Sequence, residues 1–321
     1  MTQPDIPIID MGGQAENVIA EQVRAACLGS GFFYLSNHGI DETLLREVFA
    51  ANRRFHGLPL PEKQAIKLNH WHRGYQGFGT SKLVSSARFA PAAKANQLES
   101  FFLRHEVSSE DPDYLTATLK GPNQWPDDEG FRDAVGRYDV AVRNLAKDLL
   151  PVFGLAVGED RGFFPPFFEN PSTALRLIHY PPVGGARPDD AFGIHPHTDY
   201  GFITILAQDD TGGLEIQTPD GGWMPAPPVP GALIVNIGDA LARWTNDTFN
   251  STPHRVISPA ARTGRYSVGM FFDPDVNAQI RCLDRFTVPG RPARHPPIRY
   301  GDYFQERLDS NYPGRTAATA P

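Results

Sequence analysis

The sequence predicts a mainly β protein with flanking helices, and three observations carry that prediction. After Pro151 the chain breaks into short strand-like runs, TALRLIHY, GFITIL, GLEIQ, ALIVNI and RYSVGMFF, separated by Gly and Pro. Frequent turns between short strands read as a sandwich or barrel rather than as alternating βαβ units. From Glu129 to Leu150, Phe131, Val135, Tyr138, Val142, Leu145 and Leu149 recur at steps of four and three, the spacing of one face of an α-helix that packs on a core. The first half alternates strand-like and helix-like pieces.

In chain order, PIID at Pro7 to Asp10 is a strand, Ala15 to Leu28 a helix, and GFFYLSNHGI a second strand followed by a second helix from Asp41. The Asp41 carboxylate can accept from the unpaired N–H groups of that helix's first turn. GYQGFGT at Gly74 to Thr80 reads as a loop. Gly212, Gly213 and Gly238 set tight turns between strands, since no Gly-x-Gly-x-x-Gly opens a helix nearby. Trp223 and Trp244 read as core or loop anchors. There is no internal repeat, and the tail after Tyr312 is small and polar enough to be mobile. This gives an N-terminal α/β region, 1–155, packed on a β core, 156–280, with a C-terminal extension, 281–321.

A chain of 321 residues, 40% hydrophobic and 21% charged, can bury a sizeable core. Its formal charge of -7 disfavours nucleic acid and anionic membrane surfaces, which attract basic proteins. Cys27 and Cys282 stand far apart with no Cys-x-x-Cys spacing, so neither a disulfide framework nor a thiolate zinc site is expected. The N-terminus lacks a basic segment followed by an apolar one, and runs such as Ala232 to Val235 are too short to span a bilayer. A cytoplasmic protein with a small-molecule partner and no obligate protein partner is expected.

The chemistry concentrates in GIHPHTDYGFITIL, Gly193 to Leu206. On a strand, alternate side chains share a face, so His197 and Asp199 project to one side and Thr198 to the other. A third donor, His254 in STPHRV, follows after 54 intervening residues and three strand-like segments. Two imidazoles and one carboxylate occupy one face of an octahedral ion and leave positions open, as in non-haem Fe(II) oxygenases. His-x-Asp alone occurs by chance in many chains. Arg265 adds weight: it lies beyond ten further residues, with Ser267 on the same strand face. A buried guanidinium is costly without an anionic partner, and its planar fork fits a carboxylate. A small carboxylate ligand is implied.

With HTDYGFITILAQDDTGGLEIQ, PGALIVNIGDALARWTN, STPHRV and RYSVGMFFDP, the chain resembles the isopenicillin N synthase-like family of 2-oxoglutarate- and Fe(II)-dependent oxygenases. IPIIDM and GFFYLSNHGI resemble that family's N-terminal region. The resemblance implies a double-stranded β-helix, or jelly roll, with helices outside it. It implies iron at His197, Asp199 and His254, and the distal carboxylate of 2-oxoglutarate at Arg265 and Ser267. Tyr180 in RLIHYPP matches a tyrosine that also reaches the co-substrate, although Ile178 and His179 stand where the family often has Asn and Tyr. His195, His179 and His38 are expected to be hydrogen-bonded neighbours rather than ligands. The implied reaction consumes 2-oxoglutarate and O2, releases succinate and CO2, and hydroxylates a C–H bond of a small to medium organic molecule. Family analogy places that molecule near Tyr75, Phe78, Arg176, Phe271 and Asp273. Iron-dependent oxidases of this fold that do not use 2-oxoglutarate also carry Arg-x-Ser, so Arg265 does not separate the two. A non-catalytic jelly roll retaining a metal is the third reading.

Overall fold

The computed structural model describes residues 6–82, 89, 92, 94–111, 114, 119–182, 192–258 and 264–311, so the expectation of a mobile tail after Tyr312 lies outside the described residues. The first half contains β1 (Ile8–Asp10), α1 (Glu16–Leu28), β2 (Phe32–Ser36), α2 (Glu42–His56), α3 (Leu60–Ala65), β3 (Gly74–Gln76), β4 (Glu99–Arg104) and α4 (Glu129–Ala156). The second half contains β5 (Ser172–Tyr180), β6 (Phe192–His197), β7 (Ile203–Gln208), β8 (Leu214–Gln217), β9 (Trp223–Pro225), β10 (Ala232–Ile237), α5 (Asp239–Trp244), β11 (His254–Ile257), β12 (Arg265–Asp273), β13 (Gln279–Ile280), β14 (Ile298–Arg299) and α6 (Tyr300–Asn311).

The main sheet has the order β1-β2-β10-β7-β12-β5-β4-β3, and a second sheet the order β6-β11-β8-β9. Ile178 and Tyr180 from the first pack with Ile194, Leu214, Ile216 and Val256 from the second, which makes the interior of a β-sandwich. On the outer face of the main sheet, Leu175, Leu177, Val268, Met270 and Phe272 join a larger apolar core with α1, α2 and α4. The six periodic residues of α4 all enter that core. Strand alternation thus sorts β12 cleanly: Arg265 and Ser267 face the interior, while Val268 and Met270 face the helices.

Three local expectations change. Helix α4 continues through Pro151 to Ala156, because the gain from burying Val152 and Phe153 offsets the hydrogen bond that proline cannot donate. Gly74–Gln76 is not loop but a strand, paired with β4 in the register Tyr75↔Phe101. Gly238 precedes α5 rather than joining two strands, and a Cβ there would stand 2.3 Å from the Gly201 carbonyl oxygen. Gly212 and Gly213 have positive φ, as turn glycines do. At α2 the Asp41 side chain accepts from the Thr43 N–H, as expected of an N-cap. Trp244 is buried in the helix-facing core, and Trp223 lies 4.1 Å beneath the Arg255 guanidinium. Cys27 and Cys282 are both free and buried.

Candidate metal centre and adjoining cleft

The stretch that opens the site is divided between the two sheets. Strand β6 ends at His197, Asp199 sits in the turn beyond it, and the apolar continuation becomes β7 in the main sheet. His254 begins β11 and is the cross-strand partner of His197, which sets the two rings 4.3 Å apart. Ligand atoms of His197, Asp199 and His254 all lie within 4.8 Å of one another, the one such group among the described residues.

The hydrogen bonds decide which atoms face inward. Nδ1 of His197 meets the His195 carbonyl at 2.8 Å, and Nδ1 of His254 meets the Thr252 carbonyl at 3.2 Å. A carbonyl only accepts, so each Nδ1 carries a proton, and in the neutral form of either ring Nε2 is the atom with the lone pair. Both Nε2 atoms stand 3.8 Å from Oδ1 of Asp199, too far for a hydrogen bond. The other carboxylate oxygen, Oδ2, accepts from Thr204 Oγ1 at 2.6 Å and from Asn236 Nδ2 at 2.7 Å. Burial, with the neighbouring His254, pushes the His197 pKa down and keeps the ring neutral. Burial would raise Asp199, but His254, His197, Asn236 and Thr204 outweigh it and keep the carboxylate ionised. Neutral imidazoles and an ionised carboxylate are the protonation states a divalent cation requires. The donor set therefore fits Fe(II).

On the interior face of β12, Arg265 is fully buried. Its Nη1 donates to Ser267 Oγ at 3.2 Å and its Nη2 to Gln208 Oε1 at 2.9 Å, while its guanidinium carbon stands 4.7 Å from the centre of the Tyr180 ring. Among the described residues, Nε of Arg265 has no hydrogen-bond partner. Every described contact is neutral, so the charge is suited to an incoming carboxylate. The two sheets approach closely here: a Cβ on Gly193 of β6 would stand 2.7 Å from the Tyr180 ring.

A cleft opens from His197 and Asp199 and is lined by Arg176, Phe271 and Asp273 together with Phe102, Arg104 and, from α6, Phe304. Arg176 is held from behind, its Nε donating to Ser100 Oγ at 3.1 Å and its Nη2 to Gln76 Oε1 at 3.0 Å. Asp273 Oδ1 accepts from the Phe202 N–H at 2.9 Å, and burial raises its pKa to about 6. Tyr75 and Phe78 do not line the cleft. Alternation on β3 sends Gln76 inward and Tyr75 into the helix-facing core, where its hydroxyl donates to Glu99 at 2.5 Å, and Phe78 is half exposed. His195 is tied to Asn96 through Nδ1 at 2.8 Å, His179 to Glu99 at 2.8 Å, and His38 Nδ1 accepts from the Ile40 N–H at 3.2 Å. Sequence reasoning does not single out Thr204, Gln208 and Asn236; their signal is a polar residue inside an otherwise apolar strand.

A sandwich that gathers two histidines and a carboxylate, with a buried arginine on its interior face, is the framework of a non-haem iron oxygenase. The pattern of the 2OG-Fe(II) oxygenase superfamily matches residues 171–274, and that of the non-haem dioxygenase N-terminal region, named for morphine synthesis, matches 6–128. The 2-oxoglutarate-Fe(II) type oxidoreductase hxnY of Emericella nidulans is 36% identical over 97% of this chain and 90% of its own. The 2-oxoglutarate-dependent dioxygenase caaD of Aspergillus niger is 34% identical over 87% of each chain. Among solved structures, a full-length Neurospora crassa protein in complex with alpha-KG and thymine superposes with a TM-score of 0.83 at 28% identity, covering 95% of this chain and 96% of that one. The chain belongs to the 2OG-Fe(II) oxygenase superfamily. Its core is the jelly roll of that family, and of the readings left open by Arg-x-Ser the 2-oxoglutarate-dependent one stands. It is an Fe(II)- and 2-oxoglutarate-dependent dioxygenase, of a family that acts on small molecules. Among the described residues no helix is long and apolar enough to cross a membrane.

Proposed function

We propose that this enzyme is cytoplasmic and hydroxylates a small to medium organic acid held in the cleft beside His197 and Asp199. In this reading His197, Asp199 and His254 hold Fe(II), and Arg265, Ser267 and Tyr180 receive the distal carboxylate of 2-oxoglutarate. When bound, iron supplies the activation of O2 that couples conversion of 2-oxoglutarate to succinate and CO2 with oxidation of a C–H bond. The protein's share is orientation. Arg265 and Ser267 fix one end of the co-substrate, and the walls of Phe102, Phe271 and Phe304 exclude water from the face where the substrate lies.

The single observation that carries the reading is the buried Arg265, whose described partners are all neutral, in a sandwich where two imidazole Nε2 atoms stand 3.8 Å from one Asp199 oxygen. The choice of an acid is supported by the cleft's balance of charge. Once Asp199 is committed to the metal, the described residues lining the cleft include Lys82 and Arg176 as cations beside the carboxylate of Asp273. Aromatic walls with a cationic anchor suit a compact carboxylate with an apolar body.

The test is anaerobic loading with Fe(II), followed by O2 and 2-oxoglutarate with a panel of small carboxylic acids and their amides. Succinate formation is expected from the wild type, stimulated more by acids than by matching amides, and lost in His197→Ala. Failure to bind or turn over 2-oxoglutarate would remove the co-substrate assignment for this chain. Equal stimulation by acids and amides would remove the substrate class alone.

A further inference from the structure

The motif GDALARWTN contains a carboxylate with no part in the site described so far. Asp239 opens α5, and its backbone N–H donates to the carbonyl of Asp199 at 2.8 Å. Its side chain gathers three hydroxyl groups. Ser251 Oγ donates to Oδ1 at 2.7 Å, Thr198 Oγ1 to Oδ2 at 3.2 Å, and Tyr303 Oη to Oδ2 at 3.4 Å.

Each hydroxyl comes from a different segment with a bearing on the metal or the cleft. Thr198 lies between His197 and Asp199, so holding its hydroxyl fixes the backbone that carries both ligands. Ser251 precedes Thr252, whose carbonyl fixes the proton on His254 Nδ1. Tyr303 belongs to α6, the helix that lends Phe304 and Leu308 to the cleft wall. The Tyr303 ring is itself clamped, with the Arg243 and Arg307 guanidiniums 5.2 and 5.4 Å from its centre.

We propose that Asp239 is a positioning residue that couples the seating of α6 against the cleft to the geometry of the three metal-binding side chains. One half-buried carboxylate with hydrogen bonds to both ligand-bearing segments and to the helix gives the two events a shared intermediary. Coupling of this kind is reciprocal. A well-formed metal site favours the docked helix, and a docked helix favours the well-formed site, so the wall of the substrate cleft is completed when metal is present.

The proposal rests on the metal assignment above, and Mn(II) binding by the wild type reports on that assignment separately. The experiment measures Mn(II) affinity by calorimetry and hydrogen–deuterium exchange of residues 300–311 with and without Mn(II), in the full chain. In the wild type, Mn(II) is expected to slow exchange in α6 by about threefold or more. Tyr303→Phe, which removes only the hydroxyl on the helix side, should abolish that metal-dependent slowing and weaken Mn(II) binding several-fold. Asp239→Ala should weaken it by about 10- to 100-fold, the range for residues that orient metal ligands. Asp239→Asn, which keeps one acceptor oxygen, should recover part of both effects. A merely structural role would lower stability without altering the metal-dependent difference in exchange. If that difference persists in Tyr303→Phe and its Mn(II) affinity stays within twofold of wild type, the proposal is overturned, whether or not Asp239→Ala folds.

Discussion

Two polar clusters lie on opposite faces of the same strands. On the outer face, Glu99 of β4 meets His179 Nδ1 through Oε1 at 2.8 Å and accepts from Lys63 Nζ at 2.8 Å and Tyr75 Oη at 2.5 Å through Oε2. Lys63 also donates to the His56 carbonyl at 2.9 Å, and His179 stacks on Tyr266 at 4.5 Å. On the inner face, Arg176 lines the cleft with His197 and Asp199, and Arg265 gathers Tyr180 and Ser267 around it. The outer cluster spends its charges on itself, carboxylate against ammonium and imidazole. The inner one pairs its guanidiniums with hydroxyl and amide groups and aims its imidazole lone pairs at a common point. Both are buried, and both contain histidine, so burial and residue type do not separate structure from function here. The use made of each side chain's bonding capacity does.

The comparison is broken most severely at Asp199. Asp199→Ala removes one inward oxygen and leaves Thr204 and Asn236 without their acceptor. Metal-dependent succinate formation should fall at least about 1000-fold, an increase of about 4 kcal/mol in activation free energy. Next is Arg265→Gln, which keeps hydrogen-bonding groups but removes the charge. The KM for 2-oxoglutarate in steady-state assays should rise about 30-fold or more, at the lower end of the roughly 2–5 kcal/mol for losing one partner of a buried charged pair. Asn236→Ala, which leaves every ligand in place, should weaken Mn(II) binding about 10- to 100-fold by calorimetry.

The smallest effect on turnover belongs to the outer cluster. Glu99→Gln leaves Lys63 buried without a carboxylate, so it should cost about 3 kcal/mol of stability in urea unfolding while changing the KM for 2-oxoglutarate less than about threefold. A KM shift matching that of Arg265→Gln would erase the distinction between the faces. Acid sharpens the same contrast. Burial would raise the Glu99 pKa, but hydrogen bonds from His179, Lys63 and Tyr75 bring it down to about 2. A depressed folded-state value stabilises the protein above the unfolded value near 4.5 and is lost as pH falls toward 2. The stability gap between wild type and Glu99→Gln should therefore narrow as urea titrations are moved from pH 5 toward pH 3.

The site is legible where chemistry needs a fixed spacing. His197 and Asp199 two apart, then His254, come together as residue type and spacing suggest, and strand parity puts Arg265 and Ser267 on one interior face. The strands β5, β7, β8, β10 and β12 are legible because Gly and Pro punctuate short apolar runs. By contrast ESFFLR, which becomes β4, shows no simple alternation because both its faces are buried, Glu99 among helix-side charges and Arg104 at the cleft. Without β4 the parity of GYQ stays open, and the sequence offers Tyr75 to the substrate where Gln76 is the residue that faces inward. Phe304 and Leu308 come from a segment distant in sequence, and their spacing of four marks a helix face without saying what it covers.

The metal-binding histidines belong to one sheet and Arg265 to the other, and Gly193 is what lets the sheets close against Tyr180. In the proposed reading, the bite of this site, the span that a chelating molecule would bridge between metal and arginine, is thus gauged by a residue with no side chain. Two proteins that shared every polar group described here and differed at that glycine would hold the same chemistry at different separations.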